Sequence, residues 1–182
     1  MEILGVAGSL RRGSYNRMLL RAAGASLPPG VGFTEYDGLK AIPAFDEDDE
    51  NALPRSVGHW RAAIAGADGI LFATPEYNSS VPGHLKNAVD WASRPVNEAV
   101  LRNKPVAVIG ASTGMFGAVW SQAELRKALA SAGARVIDLE FAVPFAYEAF
   151  DTTGSLTDLD RAFELDNLLA GLLGTISQRV AA

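Results

Sequence analysis

The sequence predicts a doubly wound α/β fold, in which helices cover both faces of a parallel sheet. Short apolar runs alternate with helical patterns along the 182 residues, the order that parallel strands and their crossover helices produce. The runs at 69–74 and 105–110 are apolar almost throughout, as expected of strands buried on both faces. A loop of glycine, hydroxyl and arginine residues follows the first run, where such folds bind ligands.

Five strand–helix units follow one another along the chain. The strands are expected at 3–7, 31–36, 69–74, 105–110 and 135–139, and the helices around 18–23, over 54–65, 82–93 and 119–132, and from about 158 onward. Pro54 and Pro82 favour helix starts, and Gly133 favours the end of the fourth helix. The segment 37–51 has no periodicity and is interpreted as a long loop. Apolar residues at helical spacing predict one packed face on the last helix: Leu165, Leu168, Leu169, Leu172, Leu173 and Ile176.

Five strands favour the flavodoxin-like order 2-1-3-4-5 over the six-stranded order of dinucleotide-binding domains. Ligands of such sheets bind beyond the carboxyl ends of the strands. The loops at 9–16, 75–82 and 112–117 are therefore expected to form the site. Because no internal linker interrupts the pattern, residues 1–182 are expected to form a single domain.

Composition excludes several classes of function. A hydrophobic share of 48% is typical of a globular domain, and a net charge of −5 argues against binding to nucleic acid or to an anionic membrane surface. The absence of cysteine excludes disulfides, thiolate metal sites and cysteine nucleophiles, and fits a reducing compartment. No apolar run approaches the ~20 residues of a membrane span, and no basic leader precedes the first strand. A cytoplasmic protein is expected.

The loop 8–16 reads Gly-Ser-Leu-Arg-Arg-Gly-Ser-Tyr-Asn and is predicted to bind a phosphate. At a strand-to-helix junction, free backbone N–H groups and the positive end of the helix attract anions. Ser9, Ser14 and Asn16 add neutral donors, and Arg11 or Arg12 adds a planar cation suited to phosphate. The dinucleotide fingerprint is absent, and the P-loop spacing lacks its lysine, so capture of a terminal phosphate is favoured over phosphoryl transfer. The alternative is a simple turn with solvated arginines.

The loops after the third and fourth strands are predicted to hold a flat ring. The third strand runs into Pro-Glu-Tyr-Asn at 75–78, where Tyr77 offers a flat face and the N–H groups near Asn78 can point into the cleft. Three glycines at 110–117 let a flat ligand approach the backbone after the fourth strand. Together with the phosphate loop, this pattern suits an aromatic ring system on a phosphorylated tail.

Three motifs closely resemble the NADPH-dependent FMN reductases, which include flavodoxin-like quinone, chromate and azo-dye reductases. They are the loop at 8–16, the stretch from Pro75 to Arg94 that begins Pro-Glu-Tyr-Asn-Ser-Ser-Val-Pro-Gly, and Ser-Thr-Gly at 112–114. The resemblance spans residues 3 to about 139 and implies bound FMN, with NADPH or NADH as the reductant. It assigns phosphate contacts to the first loop, at Ser9, Arg11, Ser14 and Asn16, with Tyr15 as a further cofactor-binding residue. It assigns ring contacts to the other two loops, at Pro75, Glu76, Tyr77 and Asn78, then Ser112, Thr113 and Gly114.

The resemblance also implies a reaction. NAD(P)H would pass hydride to the flavin, and a quinone, free flavin, azo dye, nitro compound or chromate would then take two electrons in the same space. No catalytic side chain is expected, and solvent can supply the protons. Residues Met115 to Ala118 differ from the consecutive small residues that relatives often have there, so Phe116 is expected to narrow the entrance for nicotinamide or substrate. A homodimer or homotetramer is implied, with the helix 82–93 as a candidate interface, although Trp91 is equally well explained as a core residue.

Three alternatives compete with this interpretation. A flavodoxin-type electron carrier would share the fold and FMN but lack a nicotinamide site. A serine hydrolase is suggested by Gly-x-Ser-x-Gly around Ser112, but the only histidines, His59 and His84, precede that serine, whereas the triad needs one after it. The carboxylates at 46–50 could hold a metal, yet they lack the calcium-loop spacing and are interpreted as a solvated loop.

Overall fold

The chain folds around one parallel sheet. The structure is a computed structural model that describes residues 1–180. Its strands are β1 Glu2–Ala7, β2 Gly32–Tyr36, β3 Gly69–Thr74, β4 Pro105–Ala111, β5 Arg135–Val136 and β6 Ala142–Val143. Its helices are α1 Tyr15–Ala25, α2 Arg55–Gly66, α3 Gly83–Ala92, α4 Val119–Ser131 and α5 Leu159–Val180. The order β2-β1-β3-β4-β5 confirms the flavodoxin-like prediction, with β6 added beside β4.

Both faces of the sheet carry a hydrophobic core, as the apolar runs predicted. Every residue of β3 and β4 is buried, because alternate side chains of these strands enter opposite cores. On one face α1 and α5 pack against residues such as Ile3 and Leu71, and on the other α2, α3 and α4 pack against Val6 and Phe72. This double cover leaves the carboxyl ends of the strands, with their loops, as the edge available to ligands.

The predicted fifth strand is wrong in its extent. Regular pairing with β4 stops at Val136, and the chain resumes it only at β6, which lies beside Gly110 and Ala111. Between the two, residues 138–140 are exposed and leave the sheet. Glu140 there forms an ion pair with Arg126 of α4 at 2.9 Å. The excursion brings β6 and its following loop next to the end of β4.

The segment 37–51 is not the featureless loop that the sequence indicated. Two short 3-10 helices, Gly38–Ala41 and Glu47–Asn51, interrupt it. In the second, the carboxylate of Asp46 accepts the N–H of Asp48 and caps the helix start, so consecutive acidic residues here are compatible with local order. The pattern was missed because such short helices have no repeating apolar face.

Helix α3 fastens this segment to the body of the protein. The Asn87 side chain accepts the N–H of Phe45 and donates to the carbonyl of Pro43, each at 2.7 Å. The Trp91 indole donates to the same carbonyl at 3.0 Å, and its ring packs edge-on against Phe45. Trp91 is fully buried, so its core interpretation is confirmed and the interface interpretation of this side chain is wrong.

Apart from α1, which is longer than expected, the predicted helix boundaries agree closely with the structure. Pro54 and Pro82 directly precede α2 and α3, and Gly133 adopts a φ of +87° just after α4. On α5, all the predicted core residues are buried except Leu173, which is partly exposed. No helix within residues 1–180 combines the length and apolar character that a membrane crossing requires. The predicted domain 1–182 includes Ala181 and Ala182, which lie outside the described residues.

Candidate functional site

The loop after β1, residues 9–16 and here called the β1 loop, presents a run of free backbone donors. Its eight N–H groups, from Ser9 to Asn16, have no hydrogen-bond acceptor within the described part of the chain. Ser14 caps α1 by accepting the N–H of Arg17, so the helix begins at Tyr15, earlier than predicted, and directs its positive end at the loop. Unpaired donors at a helix start form a binding site for an anion.

The side chains of the β1 loop divide into buried hydroxyls and exposed cations. Ser9 and Ser14 are only 5% and 2% exposed, whereas Arg11 and Arg12 are exposed. The Arg11 guanidinium lies 5.4 Å from the centre of the Tyr15 ring, a cation–π contact, and Tyr15 in turn stacks on Phe150. This contact places Arg11 beside the helix start and distinguishes it from its neighbour.

Two contacts fix the β1 loop to the rest of the site. The buried Asn16 side chain donates to the carbonyl of Ala111 at 2.8 Å and accepts its N–H at 2.9 Å, which ties the loop to the end of β4. The His84 imidazole donates to the carbonyl of Gly8 at 2.8 Å and ties it to α3. The Asn16 side chain therefore has a structural role in holding the loop. The role of His84 was not predicted from the sequence, because its partner Gly8 lies 76 residues away.

The loop after β3, residues 75–82 and here called the β3 loop, contains a tight turn. Tyr77 and Ser80 exchange two backbone hydrogen bonds of 3.1 Å, and the residues between them, Asn78 and Ser79, have φ values of 53° and 60°. Two consecutive positive φ values define a type I′ turn. The turn leaves the Tyr77 ring 47% exposed, while the N–H groups of Glu76, Asn78 and Ser79 have no acceptor within residues 1–180.

Helix α4 holds the β3 loop through several hydrogen bonds. The Glu76 carboxylate accepts the N–H groups of Trp120 and Ser121, each at 3.2 Å, and so caps the start of α4. The Ser121 hydroxyl donates to the carbonyl of Pro75 at 2.9 Å. Further along α4, Glu124 accepts from Ser80. These contacts were not predicted, because only the folded chain brings α4 beside this loop.

The Glu124 carboxylate has a pKa below the ordinary value for glutamate. The main cause is the hydrogen bond from the Ser80 hydroxyl, with a smaller contribution from the N–H of Val81, since both bonds stabilise the charged form. The carboxylate therefore stays ionised at neutral pH and keeps its hydrogen bonds to Ser80 and Val81 of the β3 loop.

The loop after β4, residues 112–118 and here called the β4 loop, lies against the loop that follows β6. Ser112 accepts the N–H of Gly114 with its hydroxyl at 3.1 Å. Its carbonyl accepts the N–H of Ala146, and Gly114 accepts that of Phe145. Among the three residues predicted to contact a ring here, Ser112, Thr113 and Gly114, only Thr113 has a backbone N–H without an acceptor within residues 1–180.

The end of the β4 loop forms an aromatic rim. Phe116 and Trp120 pack edge to face with ring centres 4.9 Å apart, and both are about half exposed, as is Met115. Gly117 and Ala118 turn the chain into α4 with positive φ values of 59° and 65°. For alanine that conformation is strained, and such strain is frequent beside binding sites.

The structure gives Ser112 no histidine partner. His84 is hydrogen-bonded to Gly8, and His59 lies exposed on α2. A nucleophilic serine needs a base within hydrogen-bond reach and a further group to orient that base. The hydrolase alternative thus lacks its second component.

The three loops meet at the carboxyl edge of the sheet, and comparison with known proteins gives the family. The model of the NADPH-dependent FMN reductases matches residues 1–148. The chain belongs to this family. It is 43% identical over 167 residues to an NAD(P)H-dependent FMN reductase of Pseudomonas aeruginosa, covering 91% of this chain and 89% of the relative. It is 36% identical over 140 residues to a quinone reductase of Escherichia coli, covering 76% and 74%.

A solved structure of a flavoenzyme NAD(P)H:(acceptor) oxidoreductase from Paracoccus denitrificans has the same fold. The two chains superpose with a TM-score of 0.89 at 32% identity, covering 97% of each. The family is one of oxidoreductases that use FMN and NAD(P)H. The residues present fit that cofactor: the unpaired donors and buried hydroxyls of the β1 loop suit a phosphate, and the exposed Tyr77 ring beside free N–H groups suits a flat ring with acceptor atoms.

Proposed function

We propose that this protein binds FMN at its three loops and carries hydride equivalents from NAD(P)H to a small acceptor, with quinones as the favoured class. The observation that carries the proposal is the run of unpaired backbone donors from Ser9 to Asn16 at the start of α1. Eight N–H groups without acceptors would be costly unless water or an anion satisfied them, and a phosphate group offers three acceptor oxygens.

In the proposed complex the β1 loop holds the phosphate. Its free backbone groups and the hydroxyls of Ser9 and Ser14 donate, and Arg11 turns from the Tyr15 ring to the anion because an ion pair is stronger than an exposed cation–π contact. Asn16 supports the loop through Ala111 rather than by touching the ligand. Tyr15 keeps its stacking contact with Phe150.

The β3 and β4 loops hold the ring. The Pro75 carbonyl and the Glu76 carboxylate are hydrogen-bonded to α4 and hold the β3 loop in place. The Tyr77 side chain of this loop packs beside the ring. The N–H groups of Glu76, Asn78 and Thr113, which have no acceptor within residues 1–180, would donate to acceptor atoms of the ring, and Ser112 and Gly114 would lie at its opposite edge. When bound, FMN supplies the chemistry by accepting hydride from NAD(P)H and releasing two electrons to the acceptor.

The remaining role of the protein is to position the ring and the acceptor. The loops orient the ring, and the half-exposed Phe116 and Trp120 give an aromatic acceptor an apolar surface beside it. Relatives include a 2-hydroxy-1,4-benzoquinone reductase of Burkholderia, 43% identical over 126 residues. No acid or base is assigned among the loop residues, so solvent supplies the protons.

The decisive experiment combines a binding and a reduction measurement. FMN and riboflavin are titrated into the apoprotein, and the flavin spectrum is then followed anaerobically as NADPH or NADH is added, before a quinone. We expect about one FMN per chain, much tighter binding of FMN than of riboflavin, bleaching by NAD(P)H and reoxidation by the quinone. Equal affinity for the two flavins would overturn the phosphate site, and FMN binding without bleaching would indicate an electron carrier.

We further propose a homodimer or homotetramer built on the groove between α3 and α4. This groove has a volume of about 870 Å³, a floor that includes Val89 and Ala128, and a rim with both Lys127 and Asp90. Mixed charges around an apolar floor suit a second copy, because a two-fold axis that passes between Lys127 and Asp90 would bring each against the other residue of the second copy. Light scattering should give at least twice the chain mass, and Ala128→Arg should reduce it. A monomeric wild type would contradict the proposal.

We propose the cytoplasm as the location and residues 1–182 as a single FMN-binding domain. A cytoplasmic location supplies NAD(P)H, and a chain without cysteine gains nothing from an oxidising compartment. Fractionation of cells should recover the protein with cytoplasmic markers, and thermal unfolding followed by flavin release and by circular dichroism should give one coincident transition.

A further inference from the structure

We propose that Glu124 is a positioning residue for the flavin ring, acting through the β3 loop. The proposal rests on the proposed placement of the ring against that loop. Glu124 lies in the second turn of α4 and touches neither the β1 nor the β4 loop through its carboxylate. It also lines the groove between α3 and α4, and its proposed effect on the flavin acts through the loop that carries Tyr77.

The contact is short and specific. One carboxylate oxygen of Glu124 accepts the Ser80 hydroxyl at 2.5 Å and the N–H of Val81 at 3.3 Å. Ser80 is also the residue that closes the turn with Tyr77 through two backbone bonds. Ser80 thus links the Glu124 carboxylate directly to Tyr77, the residue proposed to pack beside the ring.

The turn needs this contact because its own hydrogen bonds fix its shape and not its position. The bonds between Tyr77 and Ser80 close a small unit whose tip, Asn78 and Ser79, is exposed. The start of the loop is anchored to α4 by Glu76 through the helix cap. Beyond the turn, the chain enters α3 at Gly83, and between these two points the side-chain hydrogen bonds to the loop within residues 1–180 come from Glu124.

Glu124 supplies a second anchor. Glu76 of the loop accepts an N–H from the first turn of α4, and Glu124 in the next turn of the same helix accepts the hydroxyl of Ser80 in the loop. Two attachments on one rigid helix define the plane that the turn presents to the ring. The charge is suited to the role, since a carboxylate accepts from a hydroxyl and a backbone N–H more strongly than a neutral group does.

The effect of pH follows from the lowered pKa of Glu124. A carboxyl group whose pKa is lower in the folded than in the unfolded protein contributes fully above its ordinary pKa. The contribution is lost as the pH falls through the lowered value. The anchor is therefore complete at neutral pH, where the variants are compared.

The experiment compares Glu124→Ala and Glu124→Gln with wild type in the full chain. Amide exchange at Ser80 and Val81 is measured without and with FMN, together with the FMN dissociation constant and the visible spectrum of the bound flavin. For Glu124→Ala we expect exchange and the dissociation constant each to rise roughly tenfold, with a changed flavin spectrum, the scale of one lost hydrogen bond to a charged group. Glu124→Gln keeps an acceptor oxygen and should fall between Ala and wild type.

Two further variants test the route of the effect. Glu140→Ala removes a glutamate that pairs with Arg126 of α4 and does not touch the β3 loop, so it should leave exchange, affinity and spectrum as in wild type. Adding Ser80→Ala to Glu124→Ala should weaken FMN no further, because the partner is already lost.

The possible outcomes separate the two proposals. Wild-type exchange at Ser80 and Val81 in Glu124→Ala would overturn the anchor. Faster exchange with unchanged FMN affinity and spectrum would overturn its role toward the ring. A wild-type protein that binds no FMN would instead overturn the proposed function.

Discussion

The β1 and β3 loops flank the same edge of the sheet and are built in opposite ways. Along the β1 loop, the backbone donors from Ser9 to Asn16 are unpaired, and two side-chain contacts hold the loop from outside. In the β3 loop, Tyr77 and Ser80 satisfy each other, and α4 holds the loop through Glu76 and Glu124. One loop offers donors, and the other offers a fixed surface.

The difference suits the two parts of the FMN molecule that we propose these loops bind. A phosphate carries concentrated charge and gains most from many donors that are free before it arrives. A flat ring gains from a surface whose shape does not change on binding, because ordering a mobile loop would reduce the affinity. Changes in the β1 loop should therefore act on charge capture, and changes in the β3 loop on ring placement.

Asn16→Ala should produce the largest effect, since it removes the buried contact that ties the β1 loop to the end of β4. The buried N–H and carbonyl of Ala111 would both lose their partner. We expect a loss of about 2–4 kcal/mol in the free energy of unfolding, measured by urea denaturation. Asn167→Ala on the exposed side of α5 is the control and should change little. Equal stability of the two variants would show that the loop is anchored elsewhere.

Arg11→Ala should weaken FMN by roughly 1.5–3 kcal/mol, the scale of a charge-assisted hydrogen bond. Riboflavin affinity should not change, because riboflavin lacks the phosphate. Arg12→Ala is the matched control with a smaller expected effect, since Arg11 is the one of the two arginines that lies over the Tyr15 ring at the helix start within residues 1–180. A larger effect for Arg12, measured by fluorescence titration, would reverse the assignment.

Ser79→Val should test the rigidity of the β3 loop. A β-branched residue at a φ of 60° is strained, and we expect a loss of about 1–2 kcal/mol in stability with weaker binding of both FMN and riboflavin. Ser79→Gly adopts this conformation freely and should bind both flavins at least as well as wild type. If Ser79→Val impaired FMN but spared riboflavin, the division between the two loops would be wrong.

Ser112→Ala should have the smallest effect. Its hydroxyl accepts one hydrogen bond, from Gly114 of its own loop, so at most about 1.4 kcal/mol or tenfold in NAD(P)H:quinone activity should be lost. Wild type and variant are assayed together on a quinone and on a p-nitrophenyl ester. Ester turnover that disappears in the variant, with no quinone reduction in either protein, would favour a hydrolase.

The sequence by itself determined the strand order, the three loops and the family motifs. These features are local: the apolar runs of β3 and β4 must be buried on both faces, Pro54 and Pro82 restrict the backbone before a helix, and a glycine- and hydroxyl-rich loop before α1 leaves donors free. The positions of Ser9, Ser14 and Tyr77 followed from that pattern, and their assignment to FMN stays a prediction.

The tertiary structure alone decided how the loops are held. Asn16 meets Ala111 across 95 residues, His84 meets Gly8 across 76, and Glu124 meets Ser80 across 44. It also ended the expected fifth strand at Val136 and added β6 beyond it, because residues 138–140 leave the sheet. A single polar residue on a helix has no periodic signal, so its partner is defined only when packing brings two distant segments within hydrogen-bond distance.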